Sequence, residues 1–477
     1  MTVHANYVDG RWIAGSDAIA NINPSNVDDV VGHYAHADAR LAREAVLAAH
    51  HAQASWGLSS PMQRSRPLQA VARGLETRIE EIALLLSREE GKTLGEARGE
   101  IQRAAEIFSY YAGETLRQAG GLHDSVRHGV TVEVTREPIG VVALITPWNV
   151  PLAIPAWKVA PALAYGNCVV LKPSEVAPGS AWLLSEIIAA AGFPPGVFNL
   201  VMGTGAELGR ALLDAPELAG VSFTGSVPTG RSIADAAISG YKKLQLEMGG
   251  KNALVVLNDA DLDLAVECAL DGAFLATGQR CTASSRLIVT KGIYGRFVDE
   301  MNRRMSALRV GDALDNQTQI GPVASRAQFE RDLHYIALAR SEGGTVTGGE
   351  PLKRDHEGFF LSPCLVTDLG NNARVCREEI FGPVACVIAV NDYEEALATA
   401  NDTQFGLSSG IVTTSLKHAS HFRRHSQAGL VMVNMSTSGV DFHVPFGGRK
   451  SSSYGSREQG QHAAEFFTTT KTSYIRA

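Results

Sequence analysis

Short, uninterrupted apolar runs alternate with longer stretches of helical character through the middle of the chain. Gly140-Val-Val-Ala-Leu-Ile, Cys168-Val-Val-Leu, Val197-Phe-Asn-Leu-Val and Gly220-Val-Ser-Phe are runs of the kind buried in a parallel sheet. Between them, Ala181–Ala191 and Ala206–Leu213 have helical composition. This β-α-β rhythm predicts a doubly wound sheet. A second series starts near Asn252. It has strand-like runs at Ala253–Leu257, Ser285–Thr290, Ala385–Val390 and Leu430–Asn434, and helical stretches at Leu262–Ala276, Tyr393–Asn401 and Leu416–His425. These predict a second α/β domain. Ahead of both, residues 40–116 are dominated by Ala, Leu, Glu and Arg, which predicts helices broken near Gly57–Pro61 and Gly91. Val132-Glu-Val-Thr alternates like a strand, and Phe466 to Ile475 forms a β-prone tail. A terminal strand with few local partners predicts pairing with another subunit.

Composition narrows the class. Of 477 residues 45% are hydrophobic and 19% charged, the balance of a well-buried globular protein of two or three domains. Lys and Arg number 43 against 50 Asp and Glu, with no long run of one sign, which argues against nucleic acid or an anionic membrane as partner. No apolar window is long enough to span a bilayer. The start, MTVHANYVDG, lacks a basic region followed by an apolar stretch, so no secretory signal is expected. The six cysteines are scattered with no CxxC pair, as in reduced cytoplasmic proteins.

Five segments then carry candidate chemistry. In Thr277-Gly-Gln-Arg-Cys-Thr-Ala, the glycine lets the backbone turn so that the Cys281 thiol and its own N–H face a cleft, and adjacent Arg280 favours thiolate. A lone cysteine is more often a small buried hydrophobe. Glu247, in Leu244-Gln-Leu-Glu-Met-Gly-Gly, closes an apolar stretch before two glycines; it is either a solvated loop carboxylate or a general base. Ile145-Thr-Pro-Trp-Asn-Val-Pro follows a buried strand, the edge where doubly wound sheets bind ligands. There Asn149 can donate to an oxyanion and Trp148 can wall the cleft, or the run is simply a rigid turn. Gly203-Thr-Gly-Ala-Glu-Leu-Gly is one residue too long for the dinucleotide fingerprint. In Phe223-Thr-Gly-Ser-Val-Pro, Ser226 and backbone N–H groups can meet a pyrophosphate at a helix start. Lys172 and Glu175, in Val169-Val-Leu-Lys-Pro-Ser-Glu, can hold ribose hydroxyls, with Glu175 disfavouring an added phosphate.

The ordered set PWN, KPSE, FTGS, Glu-Met-Gly-Gly, GQRC, EEIFGP and PFGG resembles the aldehyde dehydrogenase superfamily over nearly the whole chain. The resemblance implies an α/β fold with cofactor-binding and catalytic doubly wound domains plus a β oligomerisation arm. Its expected ranges are 1–117 and 136–248 for the NAD(P)-binding domain, 249–447 for the catalytic domain, and 118–135 with 448–477 for the arm. It implies that Cys281 is the nucleophile, Glu247 the base, and Asn149 with the Cys281 N–H the oxyanion hole, while Lys158 lies beside the site. NAD or NADP, with NAD slightly preferred, would be held by Ile145, Thr146, Trp148, Lys172, Ser174, Glu175, Gly205, Phe223, Gly225, Ser226, Glu379 and Phe381. The acyl thioester would be hydrolysed, since members that pass it to coenzyme A generally lack this glutamate. A homodimer or homotetramer and a cytoplasmic location are expected, with a small-molecule aldehyde as partner and no metal.

For the substrate, the resemblance places Arg280 and Arg103 along the tunnel, with Trp157, Thr282 and Phe446 completing its lining. Two guanidinium groups favour an aldehyde that also bears a carboxylate. Alternatively, Arg103 pairs with Glu100 or Glu106 and Arg280 faces solvent. The tail from Pro445 is similar to that of bacterial family members acting on α-ketoglutaric semialdehyde, so this substrate is expected first, with succinate semialdehyde or a broad aldehyde range as alternatives. His418, His421 and His425 share a helix face, but the resemblance implies a surface helix without metal.

Overall fold

Five apolar runs pair in parallel at the centre of the first domain. Their spatial order is Lys243–Glu247, Leu218–Thr224, Val141–Ile145, Cys168–Lys172, Phe198–Leu200. The computed structural model describes residues 2–15, 17–117 and 120–476; residues 1, 16, 118, 119 and 477 of the expected domain ranges lie outside these. Every residue of Val141–Ile145 and Cys168–Lys172 is buried, which is why these runs are apolar without alternation. Helix Ala153–Ala164 is buried along its full length, and helices Ala39–Trp56 and Pro178–Ala190 contribute to the same core.

The helical N-terminal region divides into Ala39–Trp56, Pro61–Thr77, Ile79–Glu90 and Leu94–Glu114. Capping boxes at Ser60 with Gln63 and at Thr93 with Glu96 start the second and fourth helices. Gly91, at φ 94°, ends the third in the left-handed conformation. The strands before them were not anticipated. Asn6–Val8 and Arg11–Ile13 extend the first sheet, and Val3–His4, Asp17–Asn23 and Asn26–His36 make a small sheet of their own. These strands are short or largely polar, so no apolar run marks them.

The second domain has seven strands in the order Thr345–Gly348, Cys364–Thr367, Val384–Val390, Ser284–Thr290, Asn252–Val256, Ser408–Val412, Leu430–Val433. All pairs are parallel except the one at the Thr345–Gly348 edge. A third unit is a ribbon in which Val130–Pro138 lies between Gly121–Asp124 and Thr468–Arg476, all antiparallel. The arm is shorter at its C-terminal end than expected. Ser453–Gly455 pairs with Lys243–Glu247 on the edge of the first sheet, and helix Ala463–Phe467 buries Phe466 and Phe467 in the first domain's core. Only Thr468–Arg476 joins the ribbon, whereas its other long strand runs past residue 135 to Pro138. No helix among the described residues is long and apolar enough to cross a membrane.

Candidate active site

The first sheet's order reverses at Val141–Ile145, because the chain continues to Cys168–Lys172 on one side and later fills Leu218–Thr224 on the other. Such a switch point leaves a crevice beyond the strand's C-terminal end. A cleft of about 160 Å³ opens there, lined by Trp148, Asn149, Thr224 to Ser226, Met248, Cys281, Glu379 and Phe381, with Gln328 and Arg331. Residues of both domains therefore meet at this crevice.

Cys281 reaches the cleft through an unusual turn. Ala276, Thr277 and Gly278 all have left-handed backbone angles, at φ 51°, 57° and 66°. The Glu96 carboxylate accepts the Ala276 N–H at 2.8 Å, and the Asn252 amide donates to the Cys281 carbonyl at 2.8 Å. A Cβ on Gly278 would collide with the Gly382 carbonyl, so this position requires glycine. The thiol is pushed up to about 12, first by burial and then by the nearby carboxylates Glu247 and Glu379. The expectation that Arg280 favours thiolate is thus corrected. Burial outweighs it, and the guanidinium is itself buried, donating to the Asp271 carbonyl.

This has a measurable consequence. Below a raised pKa the thiolate fraction grows with pH, so alkylation of Cys281 by iodoacetamide in the cofactor-free protein should accelerate about tenfold per unit between about pH 7 and 10. Loss of the free thiol, followed by mass, reads the rate. A plateau near neutrality would show instead that the resting thiolate is stabilised.

Glu247 ends its strand with the carboxylate buried, accepting a hydrogen bond from Ser453 Oγ at 2.6 Å. Burial and repulsion from Glu458 hold it well above the usual carboxylate range, against the pull of Ser453, Lys158 and Arg457. Lys158, in the middle of its buried helix, does not line the cleft. Its ammonium pairs with Glu458 and donates to Ser222 Oγ at 2.7 Å, and Gln245 Oε1 accepts from Ser222. Glu458 escaped the sequence reading because Ser456-Arg-Glu-Gln-Gly has the polarity of a surface tail. The edge strand Ser453–Gly455 folds that tail back beside Glu247.

The Asn149 side chain donates to the Gln279 carbonyl at 2.9 Å, two residues before Cys281, which sets its amide beside the nucleophile's loop. Trp148 meets Phe381 edge to face with centroids 5.5 Å apart, across the domain boundary. Glu379 accepts the Gly250 N–H at 2.8 Å, and burial raises its pKa.

The residues at the crevice fit a dinucleotide. Thr146 and Thr224, at the ends of the two strands flanking the crevice, each bury a hydroxyl with no partner among the described residues. Ser226 caps the 13-residue helix Val227–Ser239, whose N-terminus borders the cleft and offers N–H groups to an anion. Ile145 and Phe223 end the same two strands. Lys172 and Glu175 pair at 3.2 Å beyond the adjoining strand, leaving the half-exposed Glu175 free to accept hydroxyls. Ser174 Oγ is engaged locally by the Val176 N–H. The glycine-rich segment stands apart. Gly205 opens the helix that follows Phe198–Leu200, two strands from the switch point, and a Cβ there would meet nothing within 4 Å. The strand at the switch point is followed by Thr146-Pro-Trp-Asn, so no glycine fingerprint cradles the phosphates.

The remaining tunnel candidates separate into two groups. Trp157 packs against Phe446 with centroids 5.6 Å apart, while Thr282 is buried with its carbonyl accepting from Thr437 Oγ1 at 2.7 Å. Arg103 does not pair with Glu100 or Glu106, and Arg280 does not face solvent. Neither forms an ion pair among the described residues, and each buries an Nε–H without an acceptor. The three histidines lie on Leu416–His425, where Tyr393 stacks on His418 and its hydroxyl meets His421 Nδ1 at 2.7 Å. Among the described residues no His, Cys, Asp and Glu group can hold a metal ion.

Known proteins share this arrangement. Residues 12–473 match the model of the aldehyde dehydrogenase family. The chain is 42% identical to an alpha-ketoglutaric semialdehyde dehydrogenase of Bacillus subtilis, covering 100% of this chain and 99% of the relative. It is 40% identical to an alpha-ketoglutarate semialdehyde dehydrogenase of Haloferax volcanii, covering 98% of each. The crystal structure of betaine aldehyde dehydrogenase from Staphylococcus aureus in complex with NAD+ superposes with a TM-score of 0.97 at 32% identity, covering 99% of this chain and 95% of that one. A cleft at the switch point lined by the Cys281 thiol and the Asn149 amide, a full-length family match and relatives of this similarity lead to one conclusion: the chain belongs to the aldehyde dehydrogenase family.

Proposed function

We propose that the protein oxidises an aldehyde carrying a distal carboxylate, α-ketoglutaric semialdehyde first among them, to the corresponding acid. The carrying observation is the pair of guanidinium groups, Arg103 and Arg280, that burial desolvates, that form no ion pair among the described residues and that each hold an Nε–H without an acceptor; Asp441 near Arg103 and Asp271 near Arg280 act only through space. A desolvated guanidinium with an unmade hydrogen bond is costly, and an anionic substrate relieves that cost. The names of the two relatives point the same way.

In this reading the Cys281 thiolate, its proton lost to solvent, attacks the carbonyl carbon. The Asn149 amide and the Cys281 N–H receive the alkoxide. A bound nicotinamide dinucleotide supplies the hydride acceptor that turns the adduct into a thioester. Glu247 then takes a proton from the water that attacks the thioester carbonyl; the C–S bond breaks, and the departing sulfur takes that proton back, leaving the acid and the free thiol. Glu458, neutralised by Lys158, keeps Glu247 reluctant to stay charged. Glu175, in position to accept ribose hydroxyls, favours NAD over its phosphorylated form. The exposed ribbon, with Leu122, Val126, Tyr474 and Ile475 largely uncovered, suits docking to further copies of the chain in a dimer or tetramer. Six free cysteines suit a reducing cytoplasm.

A panel of semialdehyde acids and plain aliphatic aldehydes, assayed for NADH and NADPH formation without coenzyme A, tests the reading. Arg103→Ala and Arg280→Ala should raise KM about 10- to 100-fold for semialdehyde acids and only a few-fold for uncharged aldehydes, the difference a charge-assisted pair confers. Equal effects on both substrate types would remove the carboxylate from the recognition.

A further inference from the structure

Helix Leu94–Glu114 and the residue two positions before it reach both loops that form the oxyanion hole. Lys92 is buried, and its ammonium donates to the Asn149 carbonyl at 2.8 Å and to Glu100 at 2.6 Å. The other Glu100 oxygen accepts the backbone N–H groups of Leu152 at 2.8 Å and Ala153 at 3.0 Å. The segment from Asn149 to Ala153 is thus gripped at both ends by one ion pair. One turn earlier, Glu96 accepts the Ala276 N–H of the strained turn leading to Cys281. Glu96 and Glu100 are four residues apart and share one helix face.

The chemistry of this cluster is not that of a stabilising surface bridge. Glu90, which also faces Lys92 at 3.7 Å, is pushed up to about 8 by burial, and the tighter partner of Lys92 is Glu100 at 2.6 Å. Such a buried pair contributes little net stability compared with apolar packing, but it has strict geometry. Its hydrogen bonds end on backbone atoms of the loop that aims an amide at the reacting oxygen. Oxyanion stabilisation depends steeply on donor placement.

We propose that Lys92 and Glu100 are positioning residues for the oxyanion hole, holding the Asn149 backbone so that its side-chain amide is aimed at the oxygen developing beside Cys281. This rests on the assignment of Asn149 as oxyanion donor given above. The pair touches neither the nucleophile nor the substrate. It acts on the step that builds negative charge on the carbonyl oxygen and leaves the thiol's own reactivity unchanged.

A double-mutant cycle on the full chain with NAD tests this. Lys92→Met and Glu100→Gln are each made alone and in an Asn149→Ala background, with single-turnover oxidation of an aldehyde, iodoacetamide alkylation of Cys281 and thermal unfolding as readouts. If the pair acts through Asn149, each single variant lowers the oxidation rate about 10- to 100-fold, a fraction of what a missing donor costs. In the Asn149→Ala background the same change should cost no more than about threefold, because coupled residues are non-additive. Alkylation, which generates no oxyanion, should stay within about twofold of the parent, as expected when the thiol's protonation is unchanged. Equal losses in both backgrounds, or alkylation falling in step with oxidation, would make the pair a general support of the fold. Glu100→Gln keeps the side-chain volume and an acceptor oxygen, so it provides the measurement if Lys92→Met does not fold. Should Asn149→Ala alone retain full oxidation, the oxyanion assignment falls, and the positioning role with it.

Discussion

Cys281→Ala is expected to abolish aldehyde oxidation, a loss on the order of 10⁴-fold or more, as when a covalent nucleophile is removed. Folding and cofactor binding should survive, because the side chain is small and no hydrogen bond described for it holds the turn. The turn is held instead by Asn252 on the Cys281 carbonyl and by Glu96 on Ala276. The other five thiols cannot substitute. Cys168, Cys268, Cys364, Cys376 and Cys386 are buried within the cores of the two domains. NADH formation, thermal unfolding and dinucleotide binding are measured on one preparation. Turnover above about one per cent of the parent would place the chemistry on another group, since residual catalysis without a nucleophile is far smaller.

Glu247→Gln should separate the two halves of the reaction. The amide keeps the volume and an acceptor for Ser453 Oγ but cannot take a proton from water. Steady-state turnover is expected to fall about 10²- to 10³-fold, the contribution of a positioned base. A burst approaching about one NADH per subunit should precede it, with an acyl adduct on Cys281 detectable by mass. Hydroxylamine, a nucleophile that needs no base, should restore release. A variant with no burst would assign Glu247 to activating the thiol rather than the water. A variant with undiminished turnover would remove it from both steps.

Both experiments turn on groups whose environments oppose their charge. Burial raises the proton affinity of Cys281 and Glu247 together. Lys158 is committed to Glu458 and Ser222, and its charge opposes the rise in the proton affinity of Glu247.

Much of this was legible in the chain. The parallel strands at Val141 and Cys168 carry the continuous apolar runs that two-sided burial demands, and the motifs around Cys281, Glu247 and Asn149 are short local segments. Hidden were features with no local pattern. The N-terminal strands are short and polar. The return of Ser453–Gly455 to the first sheet depends on pairing more than 200 positions away in sequence. The glycine-rich segment at Gly203 to Gly209, one residue longer than the dinucleotide fingerprint, follows a strand two places from the switch point, and only the strand order shows that.

The sequence by itself determined the fold class and the family, and it singled out the candidate reacting groups, because periodicity and motif order are properties of adjacent residues. Only the tertiary structure decided the charge state of the site. Whether Arg280 activates a thiol or waits unpaired, whether Glu458 is solvated or pressed against Glu247, and whether Lys92 reaches Asn149 all depend on burial and distance. Those quantities arise from contacts between segments far apart in the chain, and no local pattern encodes them.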